Sequence, residues 1–104
     1  AVRVTYKDKS FAYSSDSGIC EALVEAAKNV DLFLCESTLS SSMALLPGLH
    51  MTACDAGAVA KEAKVKKLLL THLFDPDLDK EYLADARLNF GKVEVSKILK
   101  SYKV

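Results

Sequence analysis

Hydrophobic and polar positions alternate from the first residues, with Val2, Val4 and Tyr6 set between Arg3, Thr5 and Lys7. The alternation continues to Ser14 on the far side of a polar break, Lys7-Asp8-Lys9, and predicts a β-hairpin over Val2–Ser14. A turn cluster follows, Ser14-Ser15-Asp16-Ser17-Gly18. From Ile19 the apolar residues Ile19, Ala22, Leu23, Ala26, Ala27 and Val30 recur at helical spacing and predict an amphipathic helix. Leu32-Phe33-Leu34-Cys35 is a continuous apolar run, the pattern of a strand covered on both faces. Glu36 to Leu49 reads as a loop, with Ser40, Ser41 and Ser42 together and Pro47-Gly48 near its end.

Thr52 begins a second helix: its hydroxyl can cap, and Asp55 stands at the third helical position, a variant of the capping box. Ala53, Ala56, Gly57, Ala60 and Ala63 form a small-residue stripe suited to close packing on a sheet. Lys67 to Thr71 reads as a further buried strand. Asp77 or Asp79 opens a third helix running to about Asn89, with Leu83, Ala86 and Phe90 inward. Gly91 ends it, and Val93-Glu94-Val95 starts a last strand.

The order is a hairpin and then α–β–α–β–α–β, an α/β fold with its helices mainly on one face. Within it, Ala22 to Glu36 and Ala58 to His72 match as two helix-then-strand units offset by 36 residues. Equivalent units in a parallel sheet end their strands at the same edge. Glu36 and His72 are therefore expected at one rim, with Asp16, just beyond the hairpin, beside them. The carboxyl ends of strands are where open α/β sheets bind ligands.

Composition narrows the function classes. The chain has 104 residues, which limits it to one domain, and is half hydrophobic with about a quarter of its residues charged, as ordinary globular chains are. A formal net charge of zero gives no support to nucleic acid or an anionic membrane as partner. Acidic residues gather between Asp75 and Asp85 and lysines in the tail, patterns that solvated faces usually explain. No apolar run approaches the ~20 residues of a membrane helix, and no signal-peptide pattern is present. Three cysteines, Cys20, Cys35 and Cys54, show no Cys-x-x-Cys spacing; they read as reduced, small buried residues of a cytoplasmic protein, not as zinc thiolates. No Gly-x-Gly-x-x-Gly or phosphate loop follows a strand, which counts against a nucleotide-binding domain.

The candidate chemistry rests on few residues. The chain has two histidines, His50 and His72. A lone histidine is more often a structural hydrogen-bonding residue, but His72 follows a buried strand at the expected rim and His50 immediately precedes a helix start. Asp16 lies at a strand-to-helix turn, where capping is the competing role.

Four segments, in order, resemble a known family. Tyr13-Ser14-Ser15-Asp16-Ser17-Gly18 resembles the Tyr-Ser-Gly-Asp-Thr-Gly segment of metallo-β-lactamase-fold hydrolases. Cys35-Glu36-Ser37-Thr38 resembles the His-Glu-Ala-Thr motif of the ribonuclease Z branch, His50-Met51-Thr52 its His-Ser-Thr motif, and Thr71-His72 its late metal-binding Thr-His. The resemblance covers essentially the whole chain. It implies that Asp16 bridges two metal ions, that His72 is the last histidine ligand, and that His50 protonates the leaving oxygen or steadies its charge. Glu36 would then orient His50 through a hydrogen bond. The implied ions are two zincs in the complete site, with manganese as the other suited metal.

The chain departs from the family pattern at Ser15 for glycine, Ser17 for threonine and Cys35 for histidine, and it contains no His-x-His-x-Asp-His. That motif supplies most ligands in the family, and a catalytic zinc usually has three protein ligands plus water. The resemblance thus implies that residues 1–104 are the carboxy-terminal half of an αββα metallo-β-lactamase-like domain, a hydrolase of phosphodiesters or related esters once completed and inactive alone. The second reading is a non-catalytic interaction or assembly module of the same fold. Either way the expected partner is the missing amino-terminal half or a second copy, docked through an exposed sheet face. Nucleic acid enters as substrate by family resemblance alone.

Overall fold

The computed structural model describes residues 1–40 and 50–104. Most of the loop expected over Glu36–Leu49 therefore lies outside the described residues. Five strands, β1 (Val2–Tyr6), β2 (Lys9–Tyr13), β3 (Leu32–Glu36), β4 (Leu68–Thr71) and β5 (Val93–Val95), form one sheet in the order β1-β2-β3-β4-β5. β1 pairs antiparallel with β2 through a two-residue turn, Lys7-Asp8, and the remaining neighbours are parallel. Among the described residues three α-helices, α1 (Glu21–Ala27), α2 (Ala53–Ala63) and α3 (Asp79–Arg87), lie between the strands, so the expected element order is the observed one. Among the described residues no helix is long and apolar enough to cross a membrane.

Alternation along the strands separates the faces. Ala12, Phe33, Cys35, Leu68, Leu70 and Val93 join the helices in one core. Their neighbours Phe11, Leu32, Leu34 and Leu69 face the other side, where they line a groove of about 480 Å³ with Tyr102 and Val104 of the tail. That face was expected to be bare, yet Leu32 and Leu69 are only 3% and 2% exposed. Tail residues Lys100, Tyr102 and Val104 border the same groove, while Phe11 and Leu34 stay half-buried.

α1 is shorter than its apolar spacing predicts. Cys20 is its extended N-cap and Asn29 takes a left-handed conformation, so Ile19 falls outside the helix and is exposed. α2 begins with the full reciprocal box: the Thr52 hydroxyl accepts from Asp55 N–H at 3.0 Å, and Asp55 accepts from Thr52 N–H at 3.1 Å. The whole small-residue stripe of α2 is buried, but it serves a helix as well as the sheet. A Cβ on Gly57 would lie 2.5 Å from the Ala86 carbonyl oxygen of α3, so only glycine permits this approach. α3 is entered through a 3-10 turn, Pro76–Leu78, and buries Tyr82 and Ala86, with Leu83 and Phe90 half-buried. Tyr82 was not among the inward residues read from the pattern.

Candidate metal centre and catalytic site

β3 and β4 end together, with Glu36 paired in register with Thr71, so Glu36 and His72 share one rim as the matched units imply. The sheet register offsets the units by one residue less than the sequence match, which leaves His72 just beyond the strand. There its backbone takes a φ of 59°, uncommon for a residue with a Cβ and typical of functional turns. Ser15 has a φ of 56°, which explains why glycine suits that position in the resembling motif.

Glu36 is the centre of the arrangement. It is fully buried, and its own N–H donates to the Ser14 hydroxyl at 2.8 Å. Its carboxylate accepts from Thr38 N–H at 2.9 Å, the Thr38 hydroxyl at 2.8 Å, Ser17 N–H at 3.2 Å and His50 Nδ1 at 2.8 Å. Burial alone pushes this carboxyl up, but the donors from Thr38, His50 and Ser17 outweigh it and hold the group below the usual glutamate range. Glu36 is therefore ionised at neutral pH. The adjacent Cys35 has no such set of donors, and burial pushes its thiol up, so it stays protonated and inert.

His50 is held from the backbone as well as from Glu36. Leu39 bridges Thr52: Leu39 N–H donates to the Met51 carbonyl and Ala53 N–H to the Leu39 carbonyl, both at 3.2 Å. His72 stacks near His50 with ring centroids 5.9 Å apart, and its Nδ1 is 2.8 Å from the Thr38 hydroxyl and 3.5 Å from Asp16 Oδ1. The structure thus brings together the four residues expected from the sequence, Asp16, Glu36, His50 and His72.

Thr38 stands at the middle of the four, beyond what the sequence assigns a role to. Its hydroxyl touches Glu36, His50 and His72, and its carbonyl accepts from Phe74 N–H and the Tyr82 hydroxyl, each at 3.0 Å. The available signal was modest: a hydroxyl residue two places beyond a strand-ending carboxylate.

Glu36, His50 and His72 each offer one ligand atom, and these atoms lie within 4.8 Å of one another. A cation suits the outer members of the cluster better than Glu36, whose two oxygens already take four donors. The His50 and His72 side chains are 33% and 49% exposed and that of Asp16 is 60% exposed, so each can present an atom to solvent. One carboxylate and imidazole nitrogens are a donor set that zinc and manganese accept. Beside His72 a cleft of about 640 Å³ opens, lined by Thr71, Pro76, Asp79, Ser96 and Lys97 among others.

No protein-family model matches the chain. It is 43% identical over 81 residues to an uncharacterized protein of Mycobacterium tuberculosis, covering 78% of this chain and 30% of that protein. It is 42% identical over 84 residues to a ribonuclease Z of Salinispora arenicola, covering 77% of this chain and 27% of the relative. The crystal structure of the metallo-β-lactamase fold protein YhfI from Bacillus subtilis superimposes with a TM-score of 0.82 at 30% identity, over 91% of this chain and 39% of that one. The chain spans roughly a quarter to a third of the length of these curated relatives.

Proposed function

Because this chain is ribonuclease Z-like and has the metallo-β-lactamase fold, we propose that it is the carboxy-terminal half of a metal-dependent hydrolase acting on phosphodiesters or related esters. Asp16 and His72 are its contribution to the metal site, and His50, held by Glu36, is its proton-handling group. The observation that carries this reading is the pairing of buried Glu36 with half-buried His50 at 2.8 Å, on the strand rim that also holds Asp16 and His72. A buried, ionised carboxylate is costly unless donors satisfy it, as Thr38, Ser17 and His50 do for Glu36. Here it orients an imidazole whose side chain is 33% exposed.

The ion we assign is zinc, two in the complete site, with manganese also suited. Bound there, it supplies Lewis-acid polarisation of the scissile ester. Everything else falls to the chain: Glu36 keeps His50 in one orientation, and His50 delivers a proton to the leaving oxygen or stabilises its charge. We place the protein in the cytoplasm on the strength of its free cysteines. The partner we propose is the complementary half, or failing that a second copy, docked on the groove where Phe11 and Leu34 stay half-buried and remain to be covered. Sedimentation across a dilution series tests the partner, since a chain that stays monomeric at micromolar concentration with that groove wet contradicts it.

Metal analysis after dialysis, with turnover of a generic phosphodiester, tests the site. The expected result is weak zinc or manganese binding that both Asp16→Asn and His72→Ala abolish, with negligible hydrolysis by the chain alone. Binding unchanged in both variants refutes the ligand assignment. Stoichiometric retention with metal-dependent turnover refutes the half-site.

A further inference from the structure

Three hydroxyl contacts meet at Thr38 Oγ1: Glu36 Oε2 at 2.8 Å, His72 Nδ1 at 2.8 Å and His50 Nδ1 at 3.2 Å. A threonine hydroxyl owns one proton and two lone pairs, so only one of the three contacts can be a donation from it. An ionised carboxylate has no proton to give, so Thr38 must donate to Glu36. Pointing its proton at His72 instead would set an oxygen lone pair against the carboxylate at 2.8 Å. The short contact to His72 is then possible only if His72 Nδ1 carries the proton and donates to Oγ1. His50 Nδ1 is 2.8 Å from the other Glu36 oxygen, so it too carries a proton.

We infer that Thr38 is a positioning residue that transmits the state of buried Glu36 to His72, fixing neutral His72 as the Nδ1–H tautomer and leaving Nε2 as its ligand nitrogen. The inference rests on the proposed role of His72 as a ligand for its purpose, but not for its geometry. One buried carboxylate thereby sets the tautomer of both histidines, directly for His50 and through a hydroxyl for His72. Thr38 suits the task because its backbone is held in place. Its N–H is bound to Glu36 and its carbonyl is clamped by Phe74 and Tyr82, which pins the residue on the sheet rim. Tyr82, fully buried on α3, then acts as the far anchor of the same device.

The experiment is long-range ¹⁵N–¹H correlation NMR of the metal-free chain, at a pH above the imidazole range, together with zinc affinity measured by chelator competition. Both histidines of the wild-type chain are expected to show Nδ1–H signals. In Thr38→Val, His72 should shift to the Nε2–H form that free histidine favours while His50 keeps Nδ1–H, and Thr38→Ser should restore His72. Zinc affinity should fall about 10–100-fold in Thr38→Val, the usual loss when a ligand's orienting partner is removed, and return in Thr38→Ser. A wild-type His72 in the Nε2–H form overturns the inference whatever the variants do, and so does a Thr38→Val chain with His72 unchanged. If the tautomers behave as expected but zinc affinity does not depend on His72, the positioning role stands and the metal-site reading fails.

Discussion

Replacing Glu36 by glutamine isolates what the buried charge does, because the side chain keeps its shape. The carboxylate takes four donors, two on each oxygen. An amide has one acceptor oxygen and one donor group. Its better placement turns the oxygen toward the two Thr38 donors, at 2.9 and 2.8 Å, and sets the NH₂ against Ser17 N–H and His50. His50 can recover its bond by moving its proton to Nε2, but Ser17 N–H cannot change and is left opposed. Hydrogen bonds to charged groups contribute about 1.5–3 kcal/mol each, and an unsatisfied buried donor costs about 1–3 kcal/mol. Against this, a neutral amide avoids the desolvation of a buried charge, which offsets part of the loss. The expected net destabilisation is about 2–3 kcal/mol, a large share of the roughly 5–15 kcal/mol typical of a domain. Urea denaturation followed by circular dichroism measures it as a lower midpoint at unchanged slope. His50 in the variant should also lose its Nδ1–H signal. A loss below about 0.5 kcal/mol, within the range of ordinary surface substitutions, with His50 still Nδ1–H, would refute the claim that the charge organises the rim.

Gly57→Ala should cost about 1–2 kcal/mol and lower the melting temperature: the new methyl meets the Ala86 backbone at 2.5 Å, and overpacking outweighs a helix-propensity gain of about 1 kcal/mol. A stabilised variant would contradict that packing. Asp31 is held at a pKa of about 2 by the Lys66 ammonium, at 2.8 Å, and by Ser10 N–H. Its folded value lies below its unfolded one, so its contribution is present above the ordinary aspartate range and fades as pH falls from near 4 toward 2. Asp31→Asn should therefore flatten the stability–pH curve in that window, and an unchanged acid limb would count against the ion pair. Native thiol labelling should modify exposed Cys20 rapidly and leave buried, protonated Cys35 untouched until unfolding. Fast labelling of Cys35 by mass spectrometry would contradict its burial.

Much of this architecture is determined by local pattern. The alternation around Lys7-Asp8, the apolar runs at Leu32 and Leu68, and the Thr52–Asp55 box each act within a few residues, and the structure forms them where the chain predicts. The two matched helix–strand units also put Glu36 and His72 on one rim, because parallel strands joined by like crossovers end at the same edge. Periodicity reports which face of an element is apolar, and little more. It overextended α1 at Ile19, since a cap and a left-handed residue override spacing, and it passed over Tyr82, whose polar tip hides a buried ring. Nor could it show Tyr102 and Val104 of the tail bordering one groove with Leu32 and Leu69, a juxtaposition of distant segments with no local signature. The decisive feature of the site, one Thr38 hydroxyl shared by Glu36, His50 and His72, belongs to tertiary structure alone. Proton sharing depends on tenths of an ångström between groups that only the folded sheet rim brings together, and no spacing along the chain encodes a distance that fine.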